Sequence, residues 1–287
     1  MDVLGQRLPR RVLAPVTGAA PSRRALVTAA LAATALWPSR AGAADGPTRI
    51  APMPVAPSPV APVRDRPVRI AMVLYPGMTA LDLVGPQALL AGLAPGQLHL
   101  VAESAGPVAS DTGLALVATG SFEACPSDLD VLFVPGGDGT PAQMRNDALL
   151  AFLRDRAARA TLVTSVCTGS LILGAAGLLR GYRATSHWCV RDAVLPLLGA
   201  ESVAERVVFD RNRVTAAGIS AGLDLGLALA ARLRDPDYAR TAQLVAEYAP
   251  EPPFRAGTPA EAGPAIVRAA EAILAPLVAG ATEAARR

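Results

Sequence analysis

The sequence predicts an α/β domain with a mostly parallel central sheet covered by helices on both faces, and three observations carry that expectation. Short apolar, β-branched runs alternate along the chain with longer helical patterns, as a sheet wound by crossover helices requires. Several of those runs are apolar throughout, which marks strands buried on both faces. One of them, Ala160-Thr161-Leu162-Val163-Thr164, leads through Ser165-Val166-Cys167 into the helical pattern 169–179, the layout of a nucleophile elbow.

Taken in order, the 287 residues allow one domain of ordinary size with additions, or at most two small ones. Arg23-Arg24 opens a stretch from Ala25 to Trp37 that is wholly apolar or small, and Ala41-Gly42-Ala43 follows as a small-x-small cleavage site. Residues 1–44 therefore read as a twin-arginine signal peptide, which implies a periplasmic or secreted protein. The apolar run is well short of the ~20 residues a spanning helix needs. These 44 residues carry six arginines against one aspartate, a net +5, so the rest of the +3 chain is at −2. The basicity belongs to the targeting segment, and no nucleic-acid partner or stable membrane insertion is expected after cleavage. The chain has no lysine, which excludes Schiff-base chemistry and a Walker-type phosphate loop.

Prolines recur from Pro47 to Pro67 with no apolar period, so residues 45–67 read as an extended linker. The folded domain spans 68–234. Its first strand is Arg69 to Tyr75, followed by a helix from about Asp82 to Leu93 and a strand at 98–103. Asp130 to Val134 is a buried strand entering the Pro135-Gly136-Gly137 turn, with a helix from about Pro141 to Ala160 behind it. After the elbow come strands at 203–209 and 214–217 around the Asp210-Arg211-Asn212 turn, then a helix from Ser220 to Leu233. Residues 235–287 read as an extension, proline-rich and then helical, that packs on the domain or on a dimer partner.

Three loops that follow strands converge on one crevice in such a sheet, bringing together Asp82, Gly136-Gly137 and Cys167-Thr168. A cysteine at the start of the elbow helix has its sulfur near unpaired N–H groups and the positive end of the dipole, which favours the thiolate and lowers its pKa. A buried structural cysteine is the bland alternative. Asp82 reads either as a helix cap or as a carboxyl group whose pKa rises beside a negative sulfur, so that it holds a proton to donate. The glycines let backbone N–H groups approach a substrate, or simply make a tight corner. His187 lines the pocket or is structural, and His99 is structural or at the surface. Two isolated histidines suggest no metal site. Cys125 and Cys189 leave the chain with an odd cysteine count, and their spacing does not establish a bridge.

The segments Leu81-Asp82-Leu83-Val84-Gly85-Pro86, Val134-Pro135-Gly136-Gly137, Ser165-Val166-Cys167-Thr168-Gly169-Ser170, Gly177-Leu178-Leu179 and Ala184-Thr185-Ser186-His187-Trp188 resemble the isocyanide hydratases of the ThiJ/PfpI superfamily. The resemblance runs from about Arg69 to the segment 247–254. It implies a flavodoxin-like three-layer fold, a homodimer, and cofactor-free hydration of an isocyanide to an N-substituted formamide. By that resemblance Cys167 is the nucleophile, Asp82 its acid/base partner, and Thr168 a hydroxyl close to the reacting centre. Related proteases and deglycases carry histidine directly after the cysteine, where Thr168 stands here. No histidine follows His187, as the amidotransferase triad would need. Two other functions remain on the same fold: an exported redox or ligand-sensing thiol protein, and the sensor half of a transcription regulator. For the second, the sequence after Leu233 lacks the expected DNA-binding helices.

Overall fold

Short apolar runs without helical period become the strands of a central sheet. The computed structural model describes residues 66–95 and 97–286, so the expected signal and nearly all of the linker lie outside the described residues. In chain order the elements are β1 (Ile70–Val73), α1 (Ala80–Leu90) with a short 3-10 turn, β2 (Leu98–Ala102), β3 (Gly106–Ala109), β4 (Ala115–Ala118) and β5 (Gly120–Ser121). Then follow β6 (Val131–Val134), α2 (Thr140–Gln143), α3 (Asp147–Ala157), β7 (Leu162–Val166), α4 (Gly169–Ala175), β8 (Arg183–Ala184) and α5 (Trp188–Val194). The chain continues through β9 (Glu201–Ser202), β10 (Val207–Asp210), β11 (Arg213–Ala216), α6 (Ala221–Leu233), α7 (Pro236–Val245), α8 (Pro259–Ala262) and α9 (Pro264–Ala285).

The main sheet has the order β10-β11-β7-β6-β1-β2-β5. All its pairings are parallel except the β10–β11 hairpin at one edge. From β1 the chain moves through α1 to β2 on one side, whereas from β6 it moves through α3 to β7 on the other. Right-handed crossovers then put α1 and α3 on opposite faces, which gives three layers. Helix α6 packs against α1, and α4 packs against β6, β7 and α3. The reversal falls between β1 and β6, and the crevice at the carboxyl ends of the strands there is where an open α/β sheet places its ligands. All residues of β1, β6 and β7 are buried. Each fully buried Val, Leu or Phe side chain among them contributes about 1.5–3 kcal/mol relative to exposure.

Several elements depart from the sequence reading. The helix expected over 141–160 is two helices, because Asn146 starts a new one by accepting a hydrogen bond from the Leu149 N–H. The elbow strand runs on to Val166. The helix after it stops at Ala175, and Gly177 beyond it takes φ +78°. The strand expected over 203–209 begins only at Val207. In the C-terminal extension α9 lies against α5 and α2, with Arg145 paired to Glu283 at 3.2 Å. By length and apolar composition α9 also matches a spanning helix. All three cysteines are free thiols, so Cys125 and Cys189 form no bridge.

Candidate active site

The elbow is tight because its backbone has to turn from strand to helix within two residues. Cys167 adopts φ +57°, a left-handed conformation that costs a residue with a Cβ of order 1–3 kcal/mol. Neighbouring strands hold it there. The Cys167 N–H donates to the carbonyls of Ala216 at 3.1 Å and Ala217 at 2.9 Å, while its carbonyl accepts from Ser186 Oγ at 3.0 Å and Ser170 Oγ at 3.3 Å. The side chain is 5% exposed. The backbone N–H groups of Ile219 and Thr168 donate to its sulfur, and Ile219 itself sits at φ +27°.

Asp82 stands two residues inside α1 and is completely buried. One carboxyl oxygen accepts from the Gly136 N–H at 2.9 Å, and the carboxyl group also interacts with the Cys167 side chain. Burial raises its pKa to about 7, against the opposing hydrogen bonds from Gly136 and Cys167 and with a small addition from Asp111. Asp111, on the β3–β4 turn, accepts from Thr79 Oγ1 at 2.5 Å. The expected lowering of the Cys167 pKa is corrected here. Burial pushes the thiol well up, the charge of Asp82 adds to that push, and the N–H groups of Ile219 and Thr168 only oppose it. Desolvation outweighs the helix terminus because α4 is only seven residues long and the sulfur sits below the surface.

Gly136 and Gly137 are required sterically. A Cβ on Gly136 would lie 2.4 Å from the Thr168 nitrogen, 2.6 Å from Thr168 Oγ1 and 2.9 Å from the Cys167 Cβ. Gly137 has φ +144°, and a Cβ there would meet the Gly77 carbonyl oxygen at 2.4 Å. Their N–H groups are engaged within the protein: Gly136 binds Asp82, and Gly137 donates to Thr168 Oγ1 at 2.9 Å. In this structure the turn orients the catalytic candidates, where the sequence pointed to direct substrate contact. Thr168 Oγ1 also bonds Thr140 Oγ1 at 2.7 Å.

A family model, described as the DJ-1/PfpI family, matches residues 68–232. The chain belongs to the DJ-1/PfpI family. It is similar to an isonitrile hydratase of Pseudomonas putida, 49% identical over 219 residues, which is 76% of this chain and 95% of that protein. The crystal structure of a ThiJ/PfpI family protein from Pseudomonas syringae is 53% identical with a TM-score of 0.74, covering 77% of this chain and 91% of that one. An HTH-type transcriptional regulator of Pseudomonas aeruginosa, CdhR, is 34% identical over 142 residues, 49% of this chain and 42% of the regulator. The flavodoxin-like sheet with its cysteine elbow is the fold of this DJ-1/PfpI protein.

His187 stands at the start of α5, where its side chain accepts from the Cys189 N–H and lies 3.0 Å, through Nδ1, from Cys189 Sγ. Its ring faces Gly218, where a Cβ would come within 2.3 Å of it. His99 lies on β2. Among the described residues, no group of three or more His, Cys, Asp or Glu side chains is placed to hold a metal ion. Sequence reasoning missed Ile219, which acts through its backbone and so carries no side-chain signal. It also missed Ser186, Thr140 and Tyr75, which meet the elbow only through folding.

Proposed function

We propose that this DJ-1/PfpI protein hydrates an isocyanide to an N-substituted formamide, with Cys167 as nucleophile and Asp82 as the proton carrier. The observation that carries the reading is the 49% identity to an isonitrile hydratase over 95% of that relative's length. The buried Cys167–Asp82 pair supports the chemistry.

In the resting pair the thiol holds its proton and the carboxyl, with a pKa of about 7, is poised to take it. Transfer of the S–H proton to Asp82 creates the thiolate and the carboxylic acid together. The sulfur adds to the terminal carbon of R–NC while Asp82 protonates that carbon, giving a thioimidate, Cys167-S–CH=N–R. Water then attacks the same carbon; Asp82 takes a proton from it and passes one to the nitrogen. In the last step the C–S bond breaks, the hydroxyl proton passes through Asp82 to the departing sulfur, and HC(O)–NH–R leaves. Both groups end in the state in which they began, and the net reaction adds one water.

This reading includes export through the Arg23-Arg24 signal, which the sequence of residues 1–44 supports, and a homodimer, which the family resemblance implies. A thiol sensor is the other reading on this fold, and the 49% identity to an isonitrile hydratase over 95% of that relative favours hydration over it. The test is the purified protein assayed against a panel of alkyl and aryl isocyanides for formamide release. Release with Cys167 reduced is the expected result, and silence across the panel would sink the hydratase reading.

A further inference from the structure

Behind the nucleophile runs a row of buried hydroxyls that the reaction above does not use. Tyr75 follows β1, Thr140 opens α2, and Thr168 follows Cys167, and all three are 2% exposed or less. Tyr75 Oη donates to the Pro135 carbonyl at 2.8 Å, which is the only direction that bond allows. Its neighbour Thr140 Oγ1 is 3.3 Å away, and Thr140 Oγ1 is in turn 2.7 Å from Thr168 Oγ1.

A threonine hydroxyl has one proton and two lone pairs. The Gly137 N–H occupies one lone pair of Thr168, which leaves two possible settings for the row. In the first, Thr168 donates to Thr140, Thr140 to Tyr75 and Tyr75 to Pro135, so every hydroxyl proton has an acceptor. In the second, Thr140 turns and donates to Thr168. Both lone pairs of Thr168 are then filled, and its own proton is left with only the Gly137 carbonyl at 3.4 Å, a weak bond. The bond given up between Thr140 and Tyr75 is also a long one, so the two settings are close in energy. Passing between them rotates hydroxyls without moving a heavy atom.

We propose that Tyr75, Thr140 and Thr168 form a reversible hydroxyl relay, in which Thr140 is a positioning residue that turns the Thr168 proton toward the reacting adduct. The relay rests on the hydration reading for its substrate. An oxygen or nitrogen that gains charge beside Cys167 draws the Thr168 proton, and the row reverses to fill the lone pair of Thr168 behind it. No O–H bond breaks. Thr168 is the residue after Cys167, and its backbone N–H donates to the sulfur that carries the adduct, which puts it beside the reacting atoms. Tyr75 does not touch the reacting atoms. Burial pushes its phenol pKa well up, so it keeps its proton for Pro135 and serves only as the resting acceptor.

The test compares Thr140→Val, Thr140→Ser and Tyr75→Phe in the purified full chain with an alkyl isocyanide, alongside melting temperatures. Thr140→Val is expected to lower kcat by about tenfold or more, on the scale of losing one preorganised donor, with KM little changed. Thr140→Ser restores most of that loss. Tyr75→Phe removes the resting acceptor and shifts the row to the productive setting, so it is expected to raise kcat modestly above the parent while lowering the melting temperature. Parental kcat in Thr140→Val, or an equal loss in Tyr75→Phe, would overturn the relay. A parent protein inactive on all isocyanides would sink the hydration reading instead. The relay is then read from the slowly exchanging Thr140 hydroxyl proton by NMR. Contact with the Tyr75 ring in the parent that shifts to the Thr168 side chain in Tyr75→Phe supports it, and a proton facing Thr168 in both overturns it.

Discussion

One thiol in this protein stands beside an imidazole and another beside a carboxyl group, and the two differ in burial and in how they are held. Cys189 has the imidazole of His187 at 3.0 Å, sits on the first turn of α5 and is half-buried. Cys167 has the Asp82 carboxyl group beside it, is 5% exposed, and is held by hydrogen bonds to three separate segments, at 168–170, 186 and 216–219. A search for cysteine next to histidine would choose the first pair. Position at the carboxyl end of β7, beside the reversal of strand order, chooses the second. The comparison teaches that a nucleophile is set by where the sheet aims it and by what dries and orients it, more than by having a base in reach.

The largest effect that tests this contrast is loss of the sulfur. Cys167→Ser is expected to lower kcat by a factor on the order of 10⁴ or more, as removal of a nucleophile does, with a parental melting temperature. Cys189→Ser in the same assay keeps turnover. Equal losses in the two variants would erase the distinction.

Asp82→Asn comes next, with turnover falling ~10²–10⁴-fold because the amide cannot accept and return a proton. The pH profile sharpens the prediction. With the carboxyl at a pKa of about 7, kcat/KM of the parent rises with pH up to about 7, as the pair sheds the second proton that blocks transfer from the thiol. That limb is absent from any residual activity of Asp82→Asn.

Stability moves the other way. The folded-state pKa of Asp82 lies above its unfolded value of 3.8, so its contribution is fully present below about pH 4 and is lost as pH rises through about 7. The loss amounts to about 4 kcal/mol at pH 8, the free energy of moving the carboxyl from 3.8 to about 7. Asp82→Asn should therefore flatten the dependence of unfolding free energy on pH between 4 and 8. A parallel curve in parent and variant would mean the carboxyl is not held protonated by burial.

The smallest effect belongs to the other pair. His187→Ala removes the side chain that caps α5 and is expected to cost about 1 kcal/mol of stability, seen in denaturant unfolding. A large rise in KM in that variant would instead place the imidazole against the substrate.

Much of this was legible in the residues themselves. The runs at Ile70–Val73, Val131–Val134 and Leu162–Val166 announce buried parallel strands because nothing polar interrupts them. Cys167, Thr168 and Asp82 stand out because each follows such a run by a few positions, and a parallel sheet sends those positions to one edge. The glycines of the 136–137 turn were visible too, but not their task. Sequence order suggests N–H groups open to a substrate, whereas the fold aims them at Asp82 and Thr168.

What only the tertiary structure decided is the set of contacts between residues far apart in the chain, and the electrostatics that follow from them. Thr140 reaches Thr168 across 28 residues and Tyr75 reaches Thr140 across 65, so no local pattern could pair them. The Ile219 N–H that meets the sulfur belongs to a backbone turn with no characteristic side chain. The direction of the Cys167 pKa was misjudged for the same reason. A helix start and its N–H groups can be read from sequence, but desolvation is a property of everything packed around an atom, and it comes into being only when the chain has folded.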